Sequence, residues 1–173
     1  DLEEVDMLFL KKSREFLEQQ AKSQAEKPFF LLHCTQAVHL PSFAAKQFQG
    51  STKAGPHGDF IHELDSIVGE LIKTLERLGM ADNTVVMFSS DNGPEWTAAK
   101  AGPEKRDPDA NVTGYGTHFS VGETGGLRGR KRSVFEGGVR VPFIVRWPGH
   151  TPAGAKNDTT VFTAVDLLPT LCA

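Results

Sequence analysis

Cysteine is scarce in this sequence. Only Cys34 and Cys172 occur among 173 residues, and neither belongs to a Cys-x-x-Cys pair, which excludes a zinc knuckle and a thioredoxin-type redox motif. Long apolar runs are also absent, since no segment reaches the roughly 18 uninterrupted apolar residues of a membrane-spanning helix. The first four residues lack the basic start and apolar middle of a signal peptide. We therefore expect no membrane span, while the pairing of the two thiols stays open.

A strong excess of either charge is missing as well. The chain has 19 basic and 22 acidic residues and a net charge of −3, so it has no global attraction for nucleic acid or for an anionic membrane surface. Hydrophobic residues make up 39% and charged residues 24% of the chain, which is typical of a globular protein and excludes a disordered tail. A length of 173 residues fits one domain or a piece of a larger one.

Residue type and helical spacing predict two long helices and one short helix. The first covers about residues 5–25, which are rich in helix formers. The second starts at Asp59, which we interpret as its N-cap, and carries an apolar stripe along its length. It ends before Gly79, which we place in the left-handed position after the last turn. A short third helix is predicted with Asp166 as its cap.

Four short apolar or β-branched segments predict strands. They are Phe29–Cys34, Thr84–Phe88, Val141–Trp147 and Thr159–Ala164. The first is apolar on both faces, as expected of a strand buried in a parallel sheet. Because helices and strands alternate along the chain, we predict an α/β layered fold with a largely parallel sheet. With so few strands, the sheet is expected to be incomplete.

Polar residues follow two of the predicted strands. Asp91-Asn92-Gly93 comes after the second strand, and His39 lies in the loop after the first. In an open α/β sheet, ligands bind beyond the carboxyl ends of the strands, and Asp and Asn oxygens suit calcium or magnesium. An Asx turn explains the same residues without a metal, and His39 alone is compatible with a packed or surface position. The residues by themselves leave these alternatives open.

The run Arg128-Gly129-Arg130-Lys131-Arg132 holds four positive charges in five residues. It is compatible with a nucleic-acid or localisation patch, with a solvated charged turn, or with an anion pocket. Glycines in and before the run allow close approach of the backbone to a ligand. The next segment, Phe135–Pro142, leads directly into a predicted strand, so the run is not a free tail. The anion pocket is therefore favoured.

The stretch from Glu95 to Arg132 has little periodicity and much Gly, Pro and Asp. Loops of this length inside a compact domain are usually functional, so we expect this one to form a polar wall of a substrate site. Two sequons, at Asn111 and Asn157, would accept glycans if the protein passed through a eukaryotic secretory pathway.

Four segments together resemble the sulfatases, the formylglycine-dependent sulfate ester hydrolases of the alkaline-phosphatase-like superfamily. The segments are Lys27–Leu31 running on to His39-Leu40-Pro41, then Phe88–Glu95, then Gly129–Lys131 with Phe135–Pro142, and last Trp147–Gly149 with Asp166–Leu171. Their order and spacing agree over nearly the whole chain, and the arylsulfatase A and N-acetylgalactosamine-6-sulfatase subgroup is the most similar. The resemblance implies part of an alkaline-phosphatase-like layered fold, a mostly parallel sheet flanked by helices.

The resemblance also implies roles for particular residues. Asp91 and Asn92 match the second pair of calcium ligands of the family, and a hard divalent cation can stabilise charge on a sulfate oxygen. Lys131 matches the lysine that binds the sulfate and approaches the ester oxygen. His39 matches the histidine that contacts the sulfate and assists the leaving alcohol as a general acid. The three neighbouring arginines have no such counterpart and are left as field or specificity residues.

The nucleophile of the family has no counterpart here. Sulfatases oxidise the first residue of a Cys/Ser-x-Pro/Ala-x-Arg motif to formylglycine, whereas Cys34 is followed by Thr-Gln-Ala-Val and Cys172 is one residue from the end. The family's first pair of Asp ligands is also missing. We therefore expect residues 1–173 to be part of a sulfatase catalytic domain without its nucleophile-bearing N-terminal half, and to be inactive alone.

The leading hypothesis is part of a calcium-dependent sulfatase acting on sulfate esters, with a sulfated carbohydrate preferred over an aryl sulfate. Such an enzyme would be lysosomal, periplasmic or secreted, and its oligomeric state stays open. One alternative is a two-zinc phosphatase or phosphodiesterase of the same superfamily, but those enzymes have an Asp-His pair where this chain has Asp91-Asn92, and a neutral Asn is a poor zinc ligand. The other alternative is a truncated or degenerate domain that has no catalytic activity and acts only in binding or assembly.

Overall fold

The computed structural model describes residues 2–23, 27–39, 42–94 and 123–172. Within these residues the helices and strands, in chain order, are α1 (Val5–Ser23), α2 (Gly55–Arg77), β1 (Val86–Ser89), α3 (Glu136–Val139), β2 (Phe143–Arg146) and α4 (Ala164–Cys172). Single turns of 3₁₀ helix cover Leu2–Glu4, Lys46–Phe48 and Ala81–Asn83. None of the helices in the described residues is long and apolar enough to cross a membrane.

The two long helices predicted from the sequence are present and pack against each other. Leu17 of α1 and Leu75 of α2 are almost fully buried and share one apolar cluster with Ala81. At the surface, the Arg77 guanidinium lies 2.8 Å from the Glu18 carboxylate and links the same two helices. This exposed ion pair adds little stability, so the apolar contact between α1 and α2 holds the pair together.

The start of α2 differs from the prediction, whereas its end agrees. The helix begins at Gly55 with Pro56 in its first turn, where the fixed φ of proline is suited to a helix. Asp59 is therefore not the N-cap; it lies inside the helix. Gly79 has a φ of 70°, and Met80 N–H donates to Leu75 O at 2.9 Å. This is the predicted left-handed C-terminal cap with its hydrogen bond back to the last turn.

The apolar run Phe29–Cys34 is extended but is not a strand, so that prediction is wrong. Phe29 and Leu31 face the α1–α2 cluster, while Phe30 and Leu32 on the other face are 71% and 73% exposed. A strand exists only where a neighbour completes its hydrogen bonds, and no strand of the described residues pairs with this run. The sequence correctly showed two apolar faces, but only one of them is covered.

The sheet of the described residues has two strands, β1 and β2, and they are antiparallel. The predicted parallel order is wrong for this pair, whose register places Val86 opposite Arg146 and Ser89 opposite Phe143. A parallel pair needs a crossover of a dozen or more residues, usually a helix. The helix described between these strands, α3, has four residues. The layered sheet with helices on both faces remains a prediction.

The C-terminal part contains α4 but not the strand predicted at Thr159–Ala164. That segment is exposed and has no strand neighbour among the described residues. Its β-branched residues therefore do not form a strand, because a strand needs a neighbour for its backbone hydrogen bonds. Asp166 lies inside α4 and does not precede it. Its carboxylate accepts the backbone N–H of Thr163 at 2.8 Å, and so it closes the first turn from within.

The two sequons, the long predicted loop and the two cysteines complete the comparison with the sequence. Asn111 and most of the predicted functional loop, residues 95–122, lie outside the described residues. Asn157 is exposed, and its side-chain oxygen accepts the N–H groups of Thr159 and Thr160. Cys34 and Cys172 are both exposed and form no disulfide in the structure.

Candidate functional site

The candidate site is built from two loops that lie at one end of the β1–β2 pair. The first loop, residues 90–94, follows β1, and the second, residues 128–138, precedes β2. Gly93 N–H donates to Gly138 O at 2.8 Å, and Lys131 N–H donates to Pro94 O at 3.0 Å. These two bonds place Lys131 beside the segment that carries Asp91 and Asn92.

Glycine permits this close approach of the two loops. A Cβ atom added to Gly93 would overlap the carbonyl oxygen of Gly137. A Cβ atom added to Gly137 would overlap the carbonyl oxygen of Gly129, and one added to Gly138 would overlap that of Ser133. The loops therefore pack backbone against backbone, and no other residue type fits at these positions without a shift of the chain.

Asp91 and Asn92 offer two hard oxygen ligands at the end of β1. Asp91 is exposed and Asn92 is half-buried. The Asn92 side-chain nitrogen donates to Gly93 O at 3.0 Å, which leaves the amide oxygen as the atom of this side chain able to bind a cation. The Ser90 hydroxyl donates to Asn92 O at 2.9 Å and holds the turn. The printed bonds of this turn use the Asn92 side-chain nitrogen and the Ser90 hydroxyl as donors, so they are not those of the Asx turn that the sequence alone also allowed.

These residues fit calcium as one part of its ligand set. Carboxylate and amide oxygens are the donors calcium prefers, but it takes about 6–8 of them. Within the described part of the chain, no cluster of three or more His, Cys, Asp or Glu side chains is placed to hold a metal. A calcium ion bound at Asp91 and Asn92 would thus need further ligands from elsewhere.

The basic loop forms a shallow depression with Lys131 in its wall. The depression has a volume of about 500 Å³, and its lining is Arg128, Gly129, Arg130, Lys131, Arg132, Ser133 and Phe135. The Arg128 guanidinium lies 3.7 Å from the centre of the Phe135 ring, a cation–π contact that fixes its position. Gly137 N–H donates to Arg128 O at 2.7 Å, so the run is anchored in the fold and is not a mobile tail.

His39 lies in the turn after the extended run. It is exposed, and its backbone N–H donates to Gln36 O at 2.7 Å. The structure thus brings the backbone of Lys131 to the segment that carries Asp91 and Asn92. The described lining of the depression contains Lys131 but not Asp91, Asn92 or His39. Leu40 and Pro41, which follow His39, lie outside the described residues.

Two buried acids near this turn are not among the residues predicted from the sequence. Asp6 is 2% exposed and Glu63 is fully buried. The Glu63 carboxylate accepts Ala45 N–H at 2.7 Å, while its other oxygen is buried with no hydrogen-bond partner among the residues that the structure describes. Burial raises the pKa of Glu63 to about 7, and Asp6 adds to the shift. A signal was available, because both acids share the helical spacing of the buried face of α1 or α2.

Two histidines, the half-buried His33 and the buried His57, are paired with serines. The Ser13 hydroxyl is 2.8 Å from His33 Nδ1, and the Ser42 hydroxyl is 3.1 Å from His57 Nδ1. Burial lowers the pKa of both imidazoles, which keeps them in the neutral form that suits a packed position. We interpret both as structural.

The comparisons with known proteins agree with the resemblance seen in the sequence. The model of the family described as Sulfatase matches residues 2–173. Arylsulfatase A of Bos taurus is 37% identical over 147 residues, which cover 85% of this chain and 25% of that protein. N-acetylgalactosamine-6-O-sulfatase of Bacteroides thetaiotaomicron is 36% identical over 151 residues, or 87% of this chain and 27% of that protein.

Solved structures also match. The PsFucS1 sulfatase from Pseudoalteromonas sp. superposes with a TM-score of 0.68 and 31% identity, covering 89% of this chain and 26% of that one. The structure of Ps i-CgsB in complex with k-i-k-neocarrahexaose gives a TM-score of 0.72 and 26% identity, over 97% of this chain and 33% of that one. The chain thus spans about a quarter of the length of the curated relatives it matches.

Proposed function

The chain belongs to the sulfatase family, and from that premise we propose that it is part of a calcium-dependent enzyme that hydrolyses sulfate esters. The observation that carries the proposal is the hydrogen bond from Lys131 N–H to Pro94 O at 3.0 Å. It joins the backbone of the lysine expected to bind sulfate to the loop that carries the two residues expected to bind calcium. In a sulfatase those groups act on the same sulfate, so their adjacency supports the assignment.

In this proposal, Asp91 and Asn92 hold calcium together with ligands from outside the described residues. The bound ion would supply positive charge next to a sulfate oxygen. Lys131 binds the sulfate and the ester oxygen through its ammonium group, whose three donors and compact charge suit an oxyanion. The half-buried position of Lys131 strengthens that attraction relative to bulk water.

His39 completes the proposed set as a group that contacts the sulfate and protonates the leaving alcohol. An imidazole is suited to this step because its ordinary pKa lies near neutrality. The nucleophile is assigned to a part of the enzyme outside this chain, since neither Cys34 nor Cys172 has the flanking residues needed for conversion to formylglycine. The 173 residues would thus supply half of the metal site and part of the sulfate pocket.

The proposed substrate is a sulfated carbohydrate. One relative is named as a sulfatase of N-acetylgalactosamine, and one structural neighbour was crystallised with k-i-k-neocarrahexaose. The arginines beside Lys131 would favour a substrate with several negative charges over a small aryl sulfate. A lysosomal, periplasmic or secreted location is consistent with such substrates and with these relatives.

The missing nucleophile favours one alternative, a domain that only binds. The phosphatase alternative has less support, because the family match is to the sulfatases and Asn92 stands where a zinc ligand would be needed. The sequence that precedes Asp1 in the complete protein separates the two remaining cases. A Cys-x-Pro-x-Arg motif there makes the protein an enzyme, and its absence supports the binding domain.

Replacement of Lys131 by alanine in the complete protein tests the site. Turnover of a sulfated sugar should fall roughly 100-fold or more, because loss of one preorganised contact to developing charge typically costs about 3 kcal/mol. Lys156→Ala is the matched control, since Lys156 is exposed in the loop between β2 and α4 and does not line the depression. Lys131→Ala with normal turnover and a normal melting curve would remove Lys131 from the site.

A further inference from the structure

The first turn of α1 contains a buried carboxylate, Asp6, that holds the turn in which His39 lies. We propose that Asp6 is a positioning residue for His39. The inference rests on the proposed function, which gives His39 its role in catalysis. Asp6 lies in none of the four segments that resemble the sulfatases, so the resemblance implies no role for it.

Both oxygens of Asp6 are used in this contact. Oδ1 accepts Gln36 N–H at 2.8 Å, and Oδ2 accepts Ala37 N–H at 2.9 Å. Two consecutive backbone donors thus converge on one carboxylate that is 2% exposed. A buried charge is costly unless it is hydrogen-bonded, and bonds to a charged acceptor are stronger than neutral ones. The carboxylate therefore fixes the backbone at residues 36 and 37.

The fixed backbone continues directly to His39. Gln36 O accepts the His39 N–H at 2.7 Å, and the Thr35 hydroxyl donates to Ala37 O at 2.7 Å. Ala37 is buried in an apolar cluster that contains Phe60 of α2. The turn is thus held by Asp6 from α1 and by apolar packing from α2, and His39 is its last residue. A shift of residues 36 and 37 would move His39.

Asp6→Asn removes the match between donors and acceptors while keeping the shape of the side chain. An asparagine has one acceptor oxygen, and its NH₂ group would face a backbone N–H. The turn must then move to separate two donors. A displacement of about 1 Å in a catalytic group can reduce turnover by roughly 100-fold. We expect kcat to fall at least tenfold and KM to change less than threefold.

Asp59 provides a matched control. It is also buried, at 1% exposure, and it accepts two backbone N–H groups, those of Gly50 and Thr52, each at 2.8 Å. Its loop contains none of the proposed site residues. Asp59→Asn should therefore lower the melting temperature about as much as Asp6→Asn does, while the kcat of the folded enzyme changes less than twofold.

The deciding experiment is a double-mutant cycle in the complete sulfatase with kcat as the readout. If Asp6 acts through His39, Asp6→Asn should reduce kcat at least tenfold in the normal enzyme and less than twofold in the His39→Ala background. A purely structural role predicts the same loss in both backgrounds, and that result would overturn the inference. If Asp6→Asn does not fold, Asp6→Glu replaces it, because it keeps both acceptors and displaces the turn by one methylene.

The cycle also separates failure of this inference from failure of the proposed function. If His39→Ala leaves kcat unchanged, the catalytic role of His39 is wrong, and the positioning role is wrong with it. If His39→Ala reduces kcat strongly while Asp6→Asn leaves it within twofold, the proposed function stands and only the role of Asp6 is overturned.

Discussion

Replacement of Gly93 by alanine tests whether the two site loops depend on backbone contact. An added Cβ atom would overlap the Gly137 carbonyl oxygen, so the 90–94 loop must move away from the 128–138 loop. That movement would break the bonds from Gly93 N–H to Gly138 O and from Lys131 N–H to Pro94 O. A non-glycine residue is excluded here by contact with another part of the backbone.

The expected loss follows from these contacts. Two backbone hydrogen bonds contribute about 1 kcal/mol each, and forcing extra atoms into a packed region typically costs about 1–3 kcal/mol. Because the loops can relax by separating, these costs do not add in full, and we expect the free energy of unfolding to fall by about 2–4 kcal/mol. In the complete enzyme, turnover should fall as well, because Lys131 moves with its loop.

Gly69→Ala is the matched control for this measurement. Gly69 lies inside α2, and a Cβ atom there meets nothing within 4 Å. Alanine is favoured over glycine in a helix interior by about 0.5–1 kcal/mol, so this variant should be slightly more stable. Urea unfolding of the 173-residue chain, followed by circular dichroism, gives both values. A Gly93→Ala chain as stable as the unaltered one would refute the packing argument.

Two further predictions concern the chain by itself. Glu63→Gln should gain stability relative to the unaltered chain as pH rises from about 5 to 8. The pKa of Glu63 is about 7 in the folded state and 4.5, its ordinary value, in the unfolded state. Between these two values the folded state keeps a proton that the unfolded state releases. The stability contributed by Glu63 is therefore fully present below pH 4.5 and is lost as pH rises through 7. Urea unfolding at both pH values checks this, and a pH-independent difference between the variants would show that Glu63 is not the responsible group. The chain alone should also show no turnover of a chromogenic aryl sulfate with calcium added. Calorimetry should show calcium binding weaker than micromolar, because Asp91 and Asn92 are too few ligands. Turnover above buffer by a preparation of verified mass would mean that the chain carries a complete site.

The helices and their ends show how far local pattern can be followed. Periodicity placed α1 and α2, and Gly79 was recognised as a C-terminal cap, because these features depend on residues within one or two turns. The start of α2 was missed because Asp59 has the residue type of an N-cap, while its carboxylate serves an upstream loop. A local rule cannot distinguish these uses of the same side chain.

The strands show where local pattern fails. Phe29–Cys34 has the composition of a buried strand, yet strand formation requires a neighbour, and none is present for it in the described residues. The direction of β2 relative to β1 likewise depends on the path of the chain between them. Pairing is a relation between distant segments, so composition alone does not determine it.

The candidate site divides in the same way. The sequence by itself determined which residues have the required chemistry, since Asp91, Asn92 and Lys131 were selected by residue type and motif. Only the tertiary structure decided that the loops carrying them are in contact. That contact is made by backbone atoms of Gly93 and Gly138, and backbone atoms are the same in every residue, so the sequence does not show which of them meet. The burial of Asp6 was also decided there, because the cost of an enclosed charge is offset by two amide groups some 30 residues away.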